Sequence, residues 1–279
     1  METLKVGNVS LTWLTGGVIN LDGGGMFGVV PKSVWEKKYP SNEKNQIRLG
    51  NDPILIQFDG HNMLLETGLG RGKLTEKQIR NYGVEKESEV EACLEGLGLS
   101  PADIDTVIMT HMHFDHACGL TVPENGTFRS AFPNARMIVS QIEWNEMREP
   151  TLRTKGTYMR ENWESIVDQV VTIDKEWSYG PLTLVHTGGH SNGHCILIIE
   201  DDQETAIHMA DILPTHAHQN VLWVLAFDDY PMDSISAKQK WITYGVEKNA
   251  WFTFYHDDYY RALKWNSDGE ITENLRKEN

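Results

Sequence analysis

Cysteine is scarce in this chain of 279 residues: Cys93, Cys118 and Cys195 are the whole complement. Three thiols so widely spaced cannot staple a small secreted scaffold. They fit a reducing compartment, where a free thiol behaves as a small buried hydrophobe. Long apolar runs are also missing. No stretch approaches the roughly 20 apolar residues needed to cross a bilayer, and Met1 to Gly7 lack the apolar core of a secretory signal. The expected location is therefore the cytoplasm, with no membrane partner. Positive charge is in deficit: 25 Lys and Arg against 40 Asp and Glu leave a formal net charge of −15. Phosphate backbones are bound by clustered cations, so no nucleic-acid partner is expected. No Gly-x-Ser-x-Gly elbow is present, and Gly23 to Gly25 lack the strand–Gly-x-Gly-x-x-Gly–helix setting of a dinucleotide site.

What is present is an ordinary globular composition, 40% hydrophobic and 23% charged. Residues 4–14 alternate as two short strands around Gly7-Asn8. Residues 16–53, rich in glycine, read as a long loop of the size that is usually functional or flexible. Residues 54–58 and 63–66 flank the hairpin signal Asp59-Gly60. Ser88 with Glu91 makes a capping box for a helix ending near Gly98, and Ser140 with Glu143 caps another. Residues 162–170 read as a further helix, and Asp233 or Ser234 caps one running to about Tyr244. Short strands are expected at 106–110, 136–139, 182–186, 195–200, 205–209 and 251–255. Two mostly β stretches, each followed by helices, suggest an α/β sandwich. No linker divides it, so residues 1–279 are expected to form a single domain with an insertion at about 16–53.

The chemistry concentrates in His111-Met112-His113-Phe114-Asp115-His116. On the extended end of a strand, residues two apart point the same way, so His111 and His113 can reach one ion. Asp115 and His116 follow the turn and face a neighbouring position. Three imidazoles and a carboxylate suit zinc, iron, manganese or cobalt. The plainer alternative is a polar loop of surface histidines, which is uncommon at a strand-to-loop junction.

The pattern His-x-His-x-Asp-His resembles the signature of the metallo-β-lactamase superfamily. Further segments similar to that family follow in order: Thr187-Gly188-Gly189-His190-Ser191-Asn192-Gly193-His194, then Met209-Ala210-Asp211, then Tyr255-His256-Asp257. The resemblance implies a four-layer αβ/βα sandwich with a dinuclear site at its edge, holding two divalent ions, zinc foremost. It gives His111, His113 and His190 to the first ion, and Asp115, His116 and His256 to the second, with Asp211 as the bridge. His194 reads as support or packing. The chain departs from the pattern at Glu66, where many members have Asp, at Ala210, where they have Gly, and at Gly189, which replaces a proline and is expected to loosen its loop. The remaining histidines, His61, His186, His208, His216 and His218, read first as ordinary structural residues.

Two cations sharing a water lower its pKa from about 16 to about 7. The resulting metal-bridging hydroxide would attack a carbonyl or phosphorus, with Asp115 as the catalytic proton carrier to the leaving group. The segment from Asp22 to Lys32, followed by Trp35, resembles the branch containing N-acyl-homoserine lactonases and related phosphotriesterases, and the whole chain is similar to quorum-quenching lactonases of the YtnP type. That resemblance implies a small-molecule lactone or ester substrate, opened at its ring carbonyl; an aryl ester or phosphotriester is the alternative. Met26, Phe27, Trp223 and Phe227 would form an apolar wall for an acyl chain. Some lactonases carry a Tyr three residues after the bridging Asp, where this chain has Pro214. Tyr255 or His216 would replace it, or the metal acts alone. The long N-terminal segment would suit a dimer arm, making a homodimer an expectation.

Overall fold

Consecutive β-branched and aliphatic residues such as Ile54-Leu55-Ile56 and Ile196-Leu197-Ile198 are buried on both faces. Strands covered on both sides read as continuous apolar runs rather than alternating ones. The computed structural model, which describes residues 1–278, arranges such strands in two seven-stranded sheets. The first runs, in spatial order, Thr3–Val6, Val9–Trp13, Ile54–Phe58, His61–Leu65, Thr106–Ile108, Arg136–Ser140, Val170–Ile173. Its first half is antiparallel and its second half parallel. The second sheet runs Glu176–Tyr179, Leu182–His186, Cys195–Asp201, Glu204–His208, Trp251–Thr253, Tyr260–Trp265, Ile271–Arg276.

Leu11, Trp13, Ile56 and Ile108 of the first sheet meet Leu182, Leu184, Leu197 and Ile199 of the second in one shared core. On the outer face of the first sheet, Leu55, Leu64 and Val139 pack on Val90 and Leu94 of helix Val90–Gly96 and on Trp144 and Met147 of helix Gln141–Arg148. On the outer face of the second, Ile196, Ile207 and Phe252 pack on Ala237 and Trp241 of helix Pro231–Glu247. The layers are therefore helix, sheet, sheet, helix, the αβ/βα sandwich that the motif implied. No described helix is long and apolar enough to cross a membrane.

Residues 16–53 are not the loop the glycines suggested. Strands Val18–Asp22 and Gln46–Gly50 pair antiparallel, with the short helices Gly23–Phe27 and Lys32–Trp35 between them. Asp22 caps the glycine-rich helix by accepting from Gly25 N, and Ile19, Met26, Phe27, Trp35, Tyr39, Ile47 and Leu49 share a core of their own. Apolar residues this far apart in sequence cluster only after folding, so local periodicity does not reveal them. Capping boxes form at Thr75 with Gln78 and at Ser100 with Asp103 rather than at Ser88 and Glu91; at helix Val90–Gly96 Ser88 Oγ only accepts from Val90 N at 3.3 Å. Residues 162–170 form not an α-helix but the 3-10 turn Glu164–Gln169, which leads into strand Val170–Ile173. Strand Ile271–Arg276, unread in the sequence, lies at a sheet edge and is largely exposed, so it carries no apolar alternation.

Candidate metal centre

Strand Thr106–Ile108 lies between two parallel neighbours, and the chain leaves its carboxyl end toward one rim of the sandwich. His111 and His113 lie just beyond that end, and the one-turn helix Phe114–Ala117 carries Asp115 and His116. The second sheet contributes at the same rim. His190 lies in the loop between Leu182–His186 and Cys195–Asp201, Asp211 in the turn Ala210–Ile212 after Glu204–His208, and His256 just past Trp251–Thr253. All seven side chains are buried, His113 being the most exposed at 8%.

Asp211 stands at the centre. Its Oδ2 lies 3.2 Å from His190 Nε2 and 3.8 Å from His111 Nε2, while its Oδ1 lies 3.3 Å from His116 Nε2 and 3.2 Å from His256 Nε2. One oxygen thus faces each group of histidines. His113 presents Nδ1, 2.9 Å from His190 Nε2, and Asp115 Oδ2 lies 3.6 Å from His256 Nε2. Within the set His111, His113, His190 the candidate ligand atoms lie within 4.8 Å of one another, and the same holds for Asp115, His116, His256.

Each group is braced from behind. Glu66 accepts from Thr110 N at 3.1 Å and from the Thr110 hydroxyl. Because that hydroxyl donates to Glu66, His111 Nδ1, 3.0 Å away, carries the proton and donates to Thr110 Oγ1, leaving Nε2 with its lone pair inward. The second Glu66 oxygen sits 3.6 Å from His116 Nδ1. His256 Nδ1 donates to Gly50 O at 2.7 Å, and His190 Nδ1 to Asp228 Oδ1 at 2.9 Å. Glu143, expected only as a helix-capping residue, instead ties the two ligand loops together. It accepts from Met112 N at 2.8 Å, Tyr158 Oη at 3.0 Å and Ser191 Oγ at 2.6 Å. Gly189 is not loose: its φ is +102°, and an added Cβ would lie 2.9 Å from Ser234 N. A side chain there would meet Ser234 at a φ that L residues rarely adopt, so glycine is what lets the His190 loop press on helix Pro231–Glu247; the family's proline falls instead at Gly188, whose φ of +63° proline cannot adopt either.

The electrostatics favour a cation. Burial, reinforced by the neighbouring imidazoles, holds His111 and His113 well below the ordinary histidine range. Burial opposes ionisation of Asp211, yet His116, His256 and His190 hold its carboxyl well below the ordinary carboxylate range. His116 goes the other way: burial disfavours its proton, but Asp211, Asp115 and Glu66 retain it. His111 Nε2 and Asp211 Oδ1 are buried with no hydrogen-bond partner, a costly arrangement that bound metal would relieve. Five imidazoles and two carboxylates converging at one rim are a donor set suited to divalent zinc-like ions.

In front of the cluster opens a cavity of about 320 Å³, with His113, Asp115, His190, Asp211 and His256 on its floor. Leu21, Met26, Leu49, Phe114, Leu225 and Phe227 supply apolar walls, and Tyr82, Arg153 and Asp229 the polar positions. Of the residues expected to form a pocket, Met26 and Phe227 reach it. Phe27 does not: it is sandwiched between Trp35 and His218, with ring centroids 4.7 and 4.4 Å away. Trp223 packs edge-on against Phe27 instead. His216 is turned away, its Nδ1 donating to Asp257 Oδ2 at 2.6 Å. Tyr255 stacks on His116 and donates its hydroxyl to Asp115 O at 2.6 Å, so it is engaged in holding the ligand helix. Tyr82, Arg153, Glu143 and Asp228 were not found from the sequence. The acidic doublet Asp228-Asp229 beside an aromatic was the one local signal.

Residues 48–259 match the metallo-beta-lactamase superfamily. A solved structure of a probable metal-dependent hydrolase from Staphylococcus aureus is 46% identical, with 99% of each chain covered and a TM-score of 0.96. AidC, a dizinc quorum-quenching lactonase solved in complex with a product, superposes with a TM-score of 0.80 at 17% identity, over 100% of this chain and 97% of that one. The N-acyl homoserine lactonase AttM from Rhizobium radiobacter is 25% identical over 172 residues, 59% of this chain and 62% of its own length. The chain thus spans about three fifths of the length of that curated relative. With four ordered motifs, the layered fold and a match over most of its length, the chain belongs to the metallo-beta-lactamase superfamily.

Proposed function

We propose that this protein is a metal-dependent hydrolase that opens the ring of N-acyl-homoserine lactones. The observation that carries the reading is the division of Asp211, one oxygen toward each histidine group, at the floor of an apolar cavity. His111, His113 and His190 would hold one divalent ion, Asp115, His116 and His256 a second, with Asp211 shared; zinc is the ion we propose. Bound there, the pair would supply Lewis acidity and a hydroxide nucleophile at neutral pH.

The chain's own residues do the rest. The apolar walls at Leu21, Met26, Leu49 and Phe227 exclude water and receive an acyl chain. Ring opening leaves an alkoxide that needs a proton, and Asp115, on the cavity floor with one oxygen toward His256, is the carrier. A donor to the lactone carbonyl is still required, because position 214 is proline and both Tyr255 and His216 are engaged elsewhere. Tyr82 fills that role: it lines the cavity, its ring stacks on Phe114 at 4.0 Å, and burial together with Asp115 raises its pKa, so the phenol keeps its proton. The lactonases among the relatives support the substrate class, and the apolar walls, with the one lining arginine paired to Asp229, suit a neutral acyl chain.

The test is metal analysis beside turnover of N-hexanoyl homoserine lactone, an aryl ester and paraoxon on one preparation. Preference for the lactone with two zinc ions per chain is expected. Preference for paraoxon would transfer the assignment to a phosphotriesterase. Tyr82→Phe should lower kcat by about 100-fold, the scale of losing one carbonyl donor; an unchanged kcat would remove Tyr82 from the mechanism.

A further inference from the structure

The cavity wall from Leu225 to Tyr230 does more than shape the pocket. Asp228, within it, is 5% exposed, and its Oδ1 lies 2.9 Å from Nδ1 of His190. A carboxylate at that distance fixes the imidazole as the Nδ1–H tautomer, which points the Nε2 lone pair at the space shared with His113 Nδ1 and Asp211 Oδ2. The backbone fastens the same two loops side by side, with Asp229 N donating to His190 O at 3.1 Å and Tyr230 N to Gly189 O at 2.9 Å. Arg153 then anchors the segment from the opposite wall. Its guanidinium donates to Ala226 O at 3.0 Å and Asp228 O at 3.2 Å and pairs with Asp229.

Of the other histidines only His116 has a carboxylate behind it, and Glu66 Oε2 at 3.6 Å from its Nδ1 makes no hydrogen bond. His256 leans on a backbone carbonyl and His111 on a threonine hydroxyl, and His113 Nε2 is buried with no partner. A negative charge directly behind the ring raises its basicity as a ligand as well as orienting it, which neither a carbonyl nor a hydroxyl does to the same extent.

Resting on the metal-centre reading above, we propose that Asp228 is a positioning residue that fixes His190 as a ligand of the first ion, and that Arg153 holds Asp228 in register. The cavity wall and one of the two metal positions are then a single mechanical unit. Loss of Asp228 weakens one ion selectively and leaves the position of Asp115, His116 and His256 intact. Arg153, acting at one remove, has a smaller effect on the same ion.

The test titrates zinc into metal-free full-length protein against a chromophoric chelator, comparing wild type with Asp228→Ala, Asp228→Asn and Arg153→Ala. Circular dichroism of each metal-free variant establishes that it is folded. Wild type should bind two zinc ions. Asp228→Ala should weaken one of them by about 10- to 100-fold, the range typical for loss of an outer partner of a metal-binding histidine. Asp228→Asn, which still accepts the Nδ1–H bond but lacks the charge, should fall between, and Arg153→Ala should lose severalfold at the same position. Cobalt-loaded Asp228→Asn should show an altered visible spectrum for one ion of the pair only, a change that a general loss of stability would not produce. If Asp228→Ala does not fold, Asp228→Asn decides. Wild type with two ions and folded Asp228 variants of equal affinity would overturn the inference alone. Wild type that binds no zinc would overturn the metal-centre reading, and this one with it.

Discussion

The floor of the cavity and its walls are made from different parts of the molecule. The floor comes from the loops and turns at strand ends of both sheets, and His113, Asp115, His190, Asp211 and His256 are each at most 8% exposed. Behind them stand Thr110, Glu66, Asp228 and the Gly50 carbonyl. The walls come from the segment at 16–53, the stretch after helix Gln141–Arg148 and the turn at 225–229. There enclosure is uneven: Met26, Leu49 and Leu225 are each at most 3% exposed, whereas Phe227 is 45% exposed. Reaction type belongs to the part that the two cores hold rigid. Substrate choice belongs to the part built on a separate core around Met26, Phe27, Leu49 and Leu225, with Arg153 pinning the 225–229 turn, where binding residues tend to gather.

A floor substitution should therefore strike metal and rate together. Asp211→Ala removes the side chain facing both groups, and should lower metal content and cut kcat/KM by more than about 100-fold, beyond the loss of an outer partner. Elemental analysis with steady-state kinetics reads both; a fully active variant retaining its metal would break the division between floor and walls.

The bracing of the floor can be broken next. Lys73 Nζ donates to Cys118 O at 2.7 Å, Thr121 Oγ1 at 2.6 Å and Asn162 Oδ1 at 2.7 Å, holding the underside of the segment that carries Asp115 and His116. Lys73→Met leaves those acceptors short of a donor and should lower unfolding stability by about 3 kcal/mol in a denaturant titration. The pH dependence has a definite sign. Burial lowers the folded amine to about 8, whereas an unfolded lysine titrates near about 10.4. The unfolded chain then binds more protons between those values, so this group makes stability rise with pH across that window. Wild type should gain on Lys73→Met from pH 8 to 10; a constant difference would show that the amine is not perturbed.

A wall substitution should do the reverse of a floor one. Phe227→Ala should raise KM for a long-chain lactone by about 5-fold, the share of ring burial a half-exposed side chain can contribute, and leave kcat nearly unchanged. A large fall in kcat with constant KM would place Phe227 with the floor.

The smallest effect lies where the floor is strained. Ala210 precedes Asp211 with φ at +43°, a region that penalises any side chain. Ala210→Gly should raise stability by about 0.5 kcal/mol, relief of strain outweighing the added freedom of the unfolded chain. A lower melting temperature would show that the turn is unstrained.

This contrast also governs what could be read in advance. Part of the floor was legible because its chemistry is local: His111 to His116 is one short run, whereas His190, Asp211 and His256 were reached only through the resemblance of their segments to the family's. Many buried strands were legible, as at Leu182–His186 and Cys195–Asp201, but Tyr260–Trp265, mostly buried, was not read. The walls were not. Phe27 and Trp223 are as apolar as Met26 and Phe227, and only packing against Trp35 and His218 decides that the first pair is core. Glu143 looked like a helix cap because its backbone is one; its carboxylate crosses to Met112 and Ser191, a contact no local pattern encodes. Asp228 reaches His190 from 38 positions away for the same reason.

The most direct measurement of the central claim is one zinc titration of metal-free protein, with ring opening of N-hexanoyl homoserine lactone followed in parallel by the acid it releases. Activity should be absent without metal and reach its plateau as two ions per chain are bound. Two bound zinc ions with no opening of any lactone, or full activity without metal, would contradict it.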